Sequence, residues 1–525
     1  MNFLKCSINN TNNNIKNSLD LLDKSGLFYY NRIKRRTAMK RFLLLFLTLT
    51  LILGSTVACN GNTDTPAIQT TADTAPTDNT PPSNTDEPTE QPSENASTFY
   101  AGYARADITP DFSVPLDNDM STGVGDKIYV TVIAISDGES KALLISGDFK
   151  YSDGAVLART RISAEKHGVP QENVLLSATH DHSSVDYLED AYPMLKWKNL
   201  YYDAIDEAIE AALADLKPAT AEIGEGKTTN FAFVRRYYME DGSFKSIHHS
   251  NPSNAYKEHE TEADDQLQVI RFNREEGKDI ILVNWQAHVA HAIIEFYGLI
   301  SSDLVGVMRD KVEKEHDVHF AYFSGASGNI NLASSVGKRI YKSYIHVGLA
   351  LADVLGTTLE DMQPVELGKI QVESTVYTAT VDHSRDDLYD KAMLVSKYNG
   401  TLSEKTEYAK SIGFHSRYEA SYIIIKHDLG ATLDIPLSAI SFGDICFAAV
   451  PYEMFDTNGM QIKSASQFKS TFVCSCTNGR FGYIPSELSF KNGGYEVYSC
   501  RFVSGTGEAL ANEYIGIIEK LYNKK

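Results

Sequence analysis

Two histidines one residue apart, His180 and His182, follow a short aliphatic run at residues 173–179 that reads as a β-strand. An H-x-H pair in extended backbone turns both imidazoles to one side, where they can bind a metal or shuttle protons. Other apolar runs are followed by similar chemistry. His288, with His291 three residues on, comes after residues 280–285, and Glu453 comes after residues 445–450. Asn478-Gly479-Arg480-Phe481-Gly482-Tyr483 comes after residues 471–476. Ligands of open α/β sheets bind beyond the carboxyl ends of the strands, which is where these residues stand. Each also has an ordinary structural reading. A single histidine at a strand end is more often a hydrogen-bonded structural residue, Glu453 alone suits a helix N-terminus, and Tyr483 alone suits a half-buried aromatic. Spacing alone supports at most a site of two histidines and one carboxylate, a common catalytic zinc arrangement.

The elements that must position these side chains alternate between strand and helix patterns. Residues 128–136 and 141–146 read as strands joined by Asp137-Gly138, a hairpin signal. Helical spacing over 151–167 precedes the strand at 173–179, and a helix over 200–216 is stopped by Pro218. Strand 280–285, helix 303–315, strand 318–323 and helix 337–355 continue the pattern. Strands then follow at 369–381, 432–440 and 445–450, with a closing helix over 507–522. This alternation predicts a mixed, layered α/β core, and no repeat of solenoid length interrupts it.

The chain has 525 residues, 42% hydrophobic and 22% charged, enough to bury a large core. Its 49 basic and 69 acidic residues give a formal net charge of −20, which argues against nucleic acid as a partner. Its 6 cysteines are too few for a disulfide scaffold, although Cys474, Cys476 and Cys500 leave room for one bridge in an exported protein. Met39-Lys40-Arg41 precedes an apolar stretch at 42–54 and then Ser55-Thr56-Val57-Ala58-Cys59. That stretch is short for a membrane span and reads as a secretory signal. Its end resembles a bacterial lipobox, which makes Cys59 the lipidation site and the membrane contact an N-terminal lipid anchor only. Residues 1–38 then form an over-called extension, and 59–97, rich in Thr, Pro, Asn and Ser, a disordered linker. An exported, extracytoplasmic, lipid-anchored body spans 98–525.

The segments of that body resemble the catalytic domain of the neutral/alkaline (non-lysosomal) ceramidase family. The resemblance rests on Ala101-Gly102-Tyr103-Ala104-Arg105-Ala106-Asp107-Ile108-Thr109-Pro110, on Leu144-Ile145-Ser146-Gly147-Asp148 and on Ser177-Ala178-Thr179-His180-Asp181-His182-Ser183. It continues in order through Asn284-Trp285-Gln286-Ala287-His288, Ser301-Ser302-Asp303, Phe323-Ser324-Gly325-Ala326-Ser327-Gly328-Asn329, Val450-Pro451-Tyr452-Glu453 and Gly482-Tyr483. The resemblance implies a mixed layered α/β domain with zinc as cofactor, held by His180, His288, Glu453 and Tyr483. It further implies His182 as a proton-shuttling histidine, Arg235 near the scissile amide and Tyr495 facing the substrate carbonyl. Asp148 and Asp181 are then candidates to fix imidazole tautomers.

The family pattern is not complete. Asn331 occupies the position of the family serine, and an amide can orient a group but cannot serve as a nucleophile. Ser184-Val185 replaces a Gly-Pro, and the chain ends at Lys525, so the immunoglobulin-like domain that usually follows is expected to be missing. These features predict a zinc-dependent hydrolase of an amide bond in a lipid-like N-acyl substrate, ceramide-like by resemblance. The alternative is a cell-surface lipoprotein of the same fold that cleaves esters or has lost turnover. His248-His249 reads as a solvated polar loop.

Overall fold

The computed structural model describes residues 99–525 except 118–119, 187–192, 248–254, 337–339 and 342. All of the described residues belong to one compact unit, Pro92–Lys525. The signal, Cys59, the linker and His248-His249 lie outside the described residues.

Aliphatic and β-branched runs build the two largest sheets among the described residues. The first contains β1 (Tyr100–Asp107), β2 (Tyr129–Ser136), β3 (Lys141–Gly147), β4 (Val174–Ala178), β5 (Lys217–Lys227), β6 (Gln266–Arg274), β7 (Ile280–Trp285) and β8 (His319–Ser324), in the spatial order β8-β7-β6-β5-β1-β2-β3-β4. Only its two outer pairs are parallel, β3 with β4 and β7 with β8; the rest of this path is antiparallel. The second sheet has the order β9 (Ile370–Thr380), β10 (Thr432–Phe442), β11 (Ile445–Ala449) and β12 (Ser470–Cys474), again with one parallel pair, β11 with β12.

The two sheets share a core. Ile133, Leu144, Leu175, Leu282 and Phe323 of the first pack with Phe442, Phe447 and Phe472 of the second. Helices cover the outer faces. Gly154–Lys166 and Met194–Ala214 lie over Val132, Ile145 and Leu176, while Asp303–His316 and Tyr344–Thr358 lie over Val269, Ile281 and Val283. Helix Thr506–Lys524 places Leu510, Tyr514 and Ile518 against Leu437 and Ala448. This is the mixed layered α/β domain that the alternation predicts, with strands β4, β7, β8, β11 and β12 delivering their carboxyl ends to one region.

Several boundaries differ for local reasons. The helix expected at 200–216 runs Met194–Ala214, and Pro218 sits inside β5 instead of in a loop. The helix expected from 337 starts at Tyr344, because Ile340–Tyr341 pairs with Ala333–Ser334. Strands β1, β5 and β6 were not anticipated; β5 (KPATAEIGEGK) has too few aliphatic residues for a strand pattern to stand out. Helices Tyr389–Lys397, Leu402–Ser411 and Arg417–His427 lie between β9 and β10 as a separate small cluster around Ala392, Ala409, Phe414 and Ile423.

Candidate metal centre

His180 and His288 stand just past β4 and β7, as their sequence context predicts, but the backbone at the H-x-H pair is not extended. His180 has φ of 62°, a left-handed conformation that is rare outside glycine, and this reversal brings the two rings face to edge. The His182 N–H donates to Val289 O at 2.8 Å, tying the turn to the segment that carries His288. The nitrogens of His180, His182 and His288 available for coordination all lie within 4.8 Å of one another, so the cluster can hold a metal ion.

Glu453 and Tyr483 come from the second sheet's side. They are direct partners in a two-residue parallel pairing, Glu453–Met454 with Tyr483–Ile484, reinforced by Glu453 N–H donating to Gly482 O at 2.9 Å. Glu453 is therefore a strand residue and not a helix cap, and Tyr483 is buried. The backbone passes close on the other side: a Cβ at Gly328 would fall 2.6 Å from Glu453 O, so only glycine fits there. The loop before Tyr483 is held to β4 by Asn478, in left-handed conformation at φ 58°. Its side chain accepts from Leu176 N–H at 2.8 Å and donates to Val174 O at 3.1 Å, replacing a missing strand partner.

Whether these residues suit a cation can be judged from where their protons are. His180 Nδ1 lies 2.9 Å from Lys150 O and His288 Nδ1 lies 2.8 Å from Ser327 O. A carbonyl only accepts, so both Nδ1 atoms carry hydrogen and both Nε2 atoms in the neutral rings offer lone pairs. Glu453 Oε2 sits 3.3 Å from His180 Nε2 and 3.4 Å from His288 Nε2, yet it is buried and accepts no hydrogen bond. Three lone-pair donors thus converge on one point. Buried acceptors arranged this way need a positive centre between them, and imidazole nitrogen with carboxylate oxygen is a zinc-type donor set. Tyr483 OH, 3.1 Å from His288 Nε2, adds a fourth donor atom at the edge.

The surroundings keep the donor rings neutral or paired. Burial, reinforced by the Arg235 guanidinium, holds His288 well below the ordinary imidazole value. Burial and Lys150 likewise bring His182 down to about 4. At His180 burial acts downward too, but Cys476 and Glu453 outweigh it and its value lies well above the ordinary one, so in the metal-free protein this ring is the charged partner of Glu453 and its Nε2 lone pair is available only to a cation that displaces that proton. Burial would raise Glu453, yet the two imidazoles hold it well below the carboxylate range, so it is an anion.

The remaining site candidates surround this point. Arg235, fully buried, donates to Glu496 at 2.8 Å, to Gly328 O at 3.0 Å and to Tyr483 OH at 3.2 Å. The Tyr495 ring meets the Tyr483 ring nearly edge-on at 5.6 Å. Asn331 is buried on strand Ile330–Asn331, which pairs with Phe233–Val234 immediately before Arg235. His291 does not join the cluster; its backbone N–H donates to Asp303.

Two assignments change. Asp148 pairs with Arg309 at 2.9 Å, and Asp181 Oδ1 accepts from Ser183 N–H, so neither fixes an imidazole. Backbone carbonyls do this for His180 and His288, while Asp117 stands 3.3 Å from His182 Nδ1 and also pairs with Lys150. Asp117, Glu496 and Glu260 escaped the sequence reading because each meets its partner only in the folded chain. The room that the sequence leaves for one bridge is not used among the described residues, where Cys446, Cys474, Cys476 and Cys500 are buried free thiols.

With the geometry in hand, known proteins provide the comparison. Residues 101–331 match the family model described as Neutral/alkaline non-lysosomal ceramidase, N-terminal. Among solved structures, the chain is similar to neutral ceramidase from Pseudomonas aeruginosa, with TM-score 0.61 and 18% identity over 82% of this chain and 75% of that one. It is also similar to a ceramidase complexed with C2, with TM-score 0.58 and 17% identity over 81% of this chain and 76% of that one. At such identities the structural likeness is one of fold.

Proposed function

From a chain whose residues 101–331 belong to the neutral/alkaline non-lysosomal ceramidase family, we propose a zinc-dependent hydrolase that cleaves the amide bond of a lipid-like N-acyl substrate. The observation that carries this reading is the convergence of His180 Nε2, His288 Nε2 and the hydrogen-bond-free Glu453 Oε2 on one buried point. Those three residues, with Tyr483, would hold the ion. Zinc bound there supplies Lewis acidity toward an acyl carbonyl and toward water.

The chain's own residues supply the rest. His182 is a neutral imidazole whose Nδ1 faces Asp117, which leaves Nε2 directed toward His180, 3.4 Å away. It is placed to take a proton from attacking water and deliver it to the leaving nitrogen. Arg235 holds the Tyr483 hydroxyl, and with Tyr495 beside it forms a donor group for the oxyanion that develops on the carbonyl oxygen of the acyl group. Asn331 orients without acting as nucleophile, which favours attack by water over a serine mechanism.

The test is metal content with turnover, comparing the wild-type protein with His288→Ala on a fluorogenic N-acyl-sphingosine and a fluorogenic acyl ester. About one zinc per chain, lost together with amide turnover in the variant, is the expected result. Zinc with ester turnover alone would change the bond type, and a protein that binds no metal would overturn the reading.

A further inference from the structure

The cations around the site differ in one respect. Arg235 is paired with Glu496, Arg236 with Glu260 and Glu496, and Lys150 with Asp117. Arg480, three residues before Tyr483 on the same loop, has no hydrogen bond and no ion pair among the described residues. Its guanidinium lies over the Tyr151 ring, 4.1 Å from the centroid, and that ring stands edge-on to His180 at 5.9 Å. The backbone of the loop that carries Arg480 is tied down, since Phe481 N–H donates to Pro451 O and Gly482 O accepts from Glu453 N–H. Asp153 and Asp186 are near enough for their charge to be felt at Arg480. Tyr422 feels both Arg480 and Glu453, and its hydroxyl approaches Gly482.

A half-buried guanidinium stacked on an aromatic face keeps its fork of N–H donors in a fixed plane. Such a fork matches the two oxygens of an oxyacid group. We propose that Arg480, seated on Tyr151 beside the candidate metal centre, binds an anionic group of the substrate, so that the preferred compounds are acylated amines bearing a carboxylate or sulfonate. The inference rests on the N-acyl hydrolase reading and narrows it: the amine half of the substrate is an amino acid or aminosulfonate more readily than a neutral amino alcohol.

The experiment uses the zinc-loaded full chain and three dodecanoyl amides, those of glycine, taurine and ethanolamine, with wild type and Arg480→Gln. The ratio of kcat/KM for the better anionic amide to that for the neutral one is expected to fall about ten- to hundredfold in the variant, mainly through KM. Glycine against taurine distinguishes a carboxylate from a sulfonate. A fall of less than threefold overturns the proposal while leaving the hydrolase intact. If no amide is turned over, which counts against the hydrolase reading, calorimetric binding of the same amides decides. Tighter binding of an anionic amide by wild type than by R480Q then supports the anion subsite, and equal affinities overturn it.

Discussion

Glu496 Oε1 accepts from Arg235 Nε at 2.8 Å, and both side chains are out of contact with solvent. The other oxygen of Glu496 accepts from Arg236 at 2.9 Å and from Ser246 at 2.6 Å. One carboxylate therefore anchors two buried guanidinium groups, and the far end of Arg235 reaches the Tyr483 hydroxyl. Removing one partner of a buried pair is costly because the other charge stays behind without compensation. Glu496→Gln keeps the shape and removes the charge. It is expected to lower stability by about 3–5 kcal/mol, read as the shift in denaturation midpoint. A stability within about 1 kcal/mol of wild type would show that the Glu496 charge is not what compensates Arg235 and Arg236.

The loop that carries Tyr483 is held to β4 by a side chain with two jobs. Asn478 tolerates φ of 58° and makes two hydrogen bonds to the β4 backbone. Asn478→Ala loses both and adds left-handed strain, for an expected loss of about 2–3 kcal/mol. Asn478→Gly relieves the strain and loses only the hydrogen bonds, so its midpoint should lie between the other two. If the alanine and glycine variants melt together, the backbone conformation at this position carries no cost.

Two buried carboxyls make stability depend on pH in a direction opposite to ordinary acid unfolding. Burial pushes Asp303 and Asp456 up to about 6, against backbone N–H groups at Asp303 and against Asn329 at Asp456. A carboxyl raised in the folded state binds its proton more tightly there than in the unfolded chain. Its contribution is fully present below the ordinary carboxylate pKa and is lost as pH rises through about 6, by about 2–3 kcal/mol for each group. Asp456→Asn keeps an oxygen for Thr457 N–H and Asn329 but no longer titrates. Urea midpoints between pH 4 and 7 should fall less steeply in the variant. An unchanged slope would remove Asp456 from the account.

The same contrast between local and distant relationships decides how much could be read from the chain. His180-Asp181-His182, His288, Glu453 and Gly482-Tyr483 each stand just past an apolar run, so both their chemistry and their place at strand ends are visible locally. The layered fold follows from the same runs. What the sequence does not reveal is which atoms hold which. The carbonyls of Lys150 and Ser327 fix the two imidazoles, and any residue type has a carbonyl. Asp117 and Glu496 are ordinary acids until folding sets them against His182 and Arg235. The left-handed turn at His180 is likewise invisible, since histidine gives no signal of positive φ as glycine does.

The donor geometry yields a prediction that separates metal binding from structural packing. Without a cation, Glu453 Oε2 is a buried anion 3.3 Å from His180 Nε2 and 3.4 Å from His288 Nε2, and it depends on positive charge on those rings for compensation. Glu453→Gln replaces an acceptor with an amide that can donate to either Nε2. Chelator-treated variant protein should therefore melt no lower than chelator-treated wild type, while the gain in Tm on adding zinc, large in wild type, nearly disappears. Differential scanning calorimetry with and without zinc measures both quantities on the same samples. A variant that is destabilised without metal yet keeps the wild-type zinc response would mean that Glu453 packs the core and that the ion is held by the His180, His182 and His288 imidazoles instead.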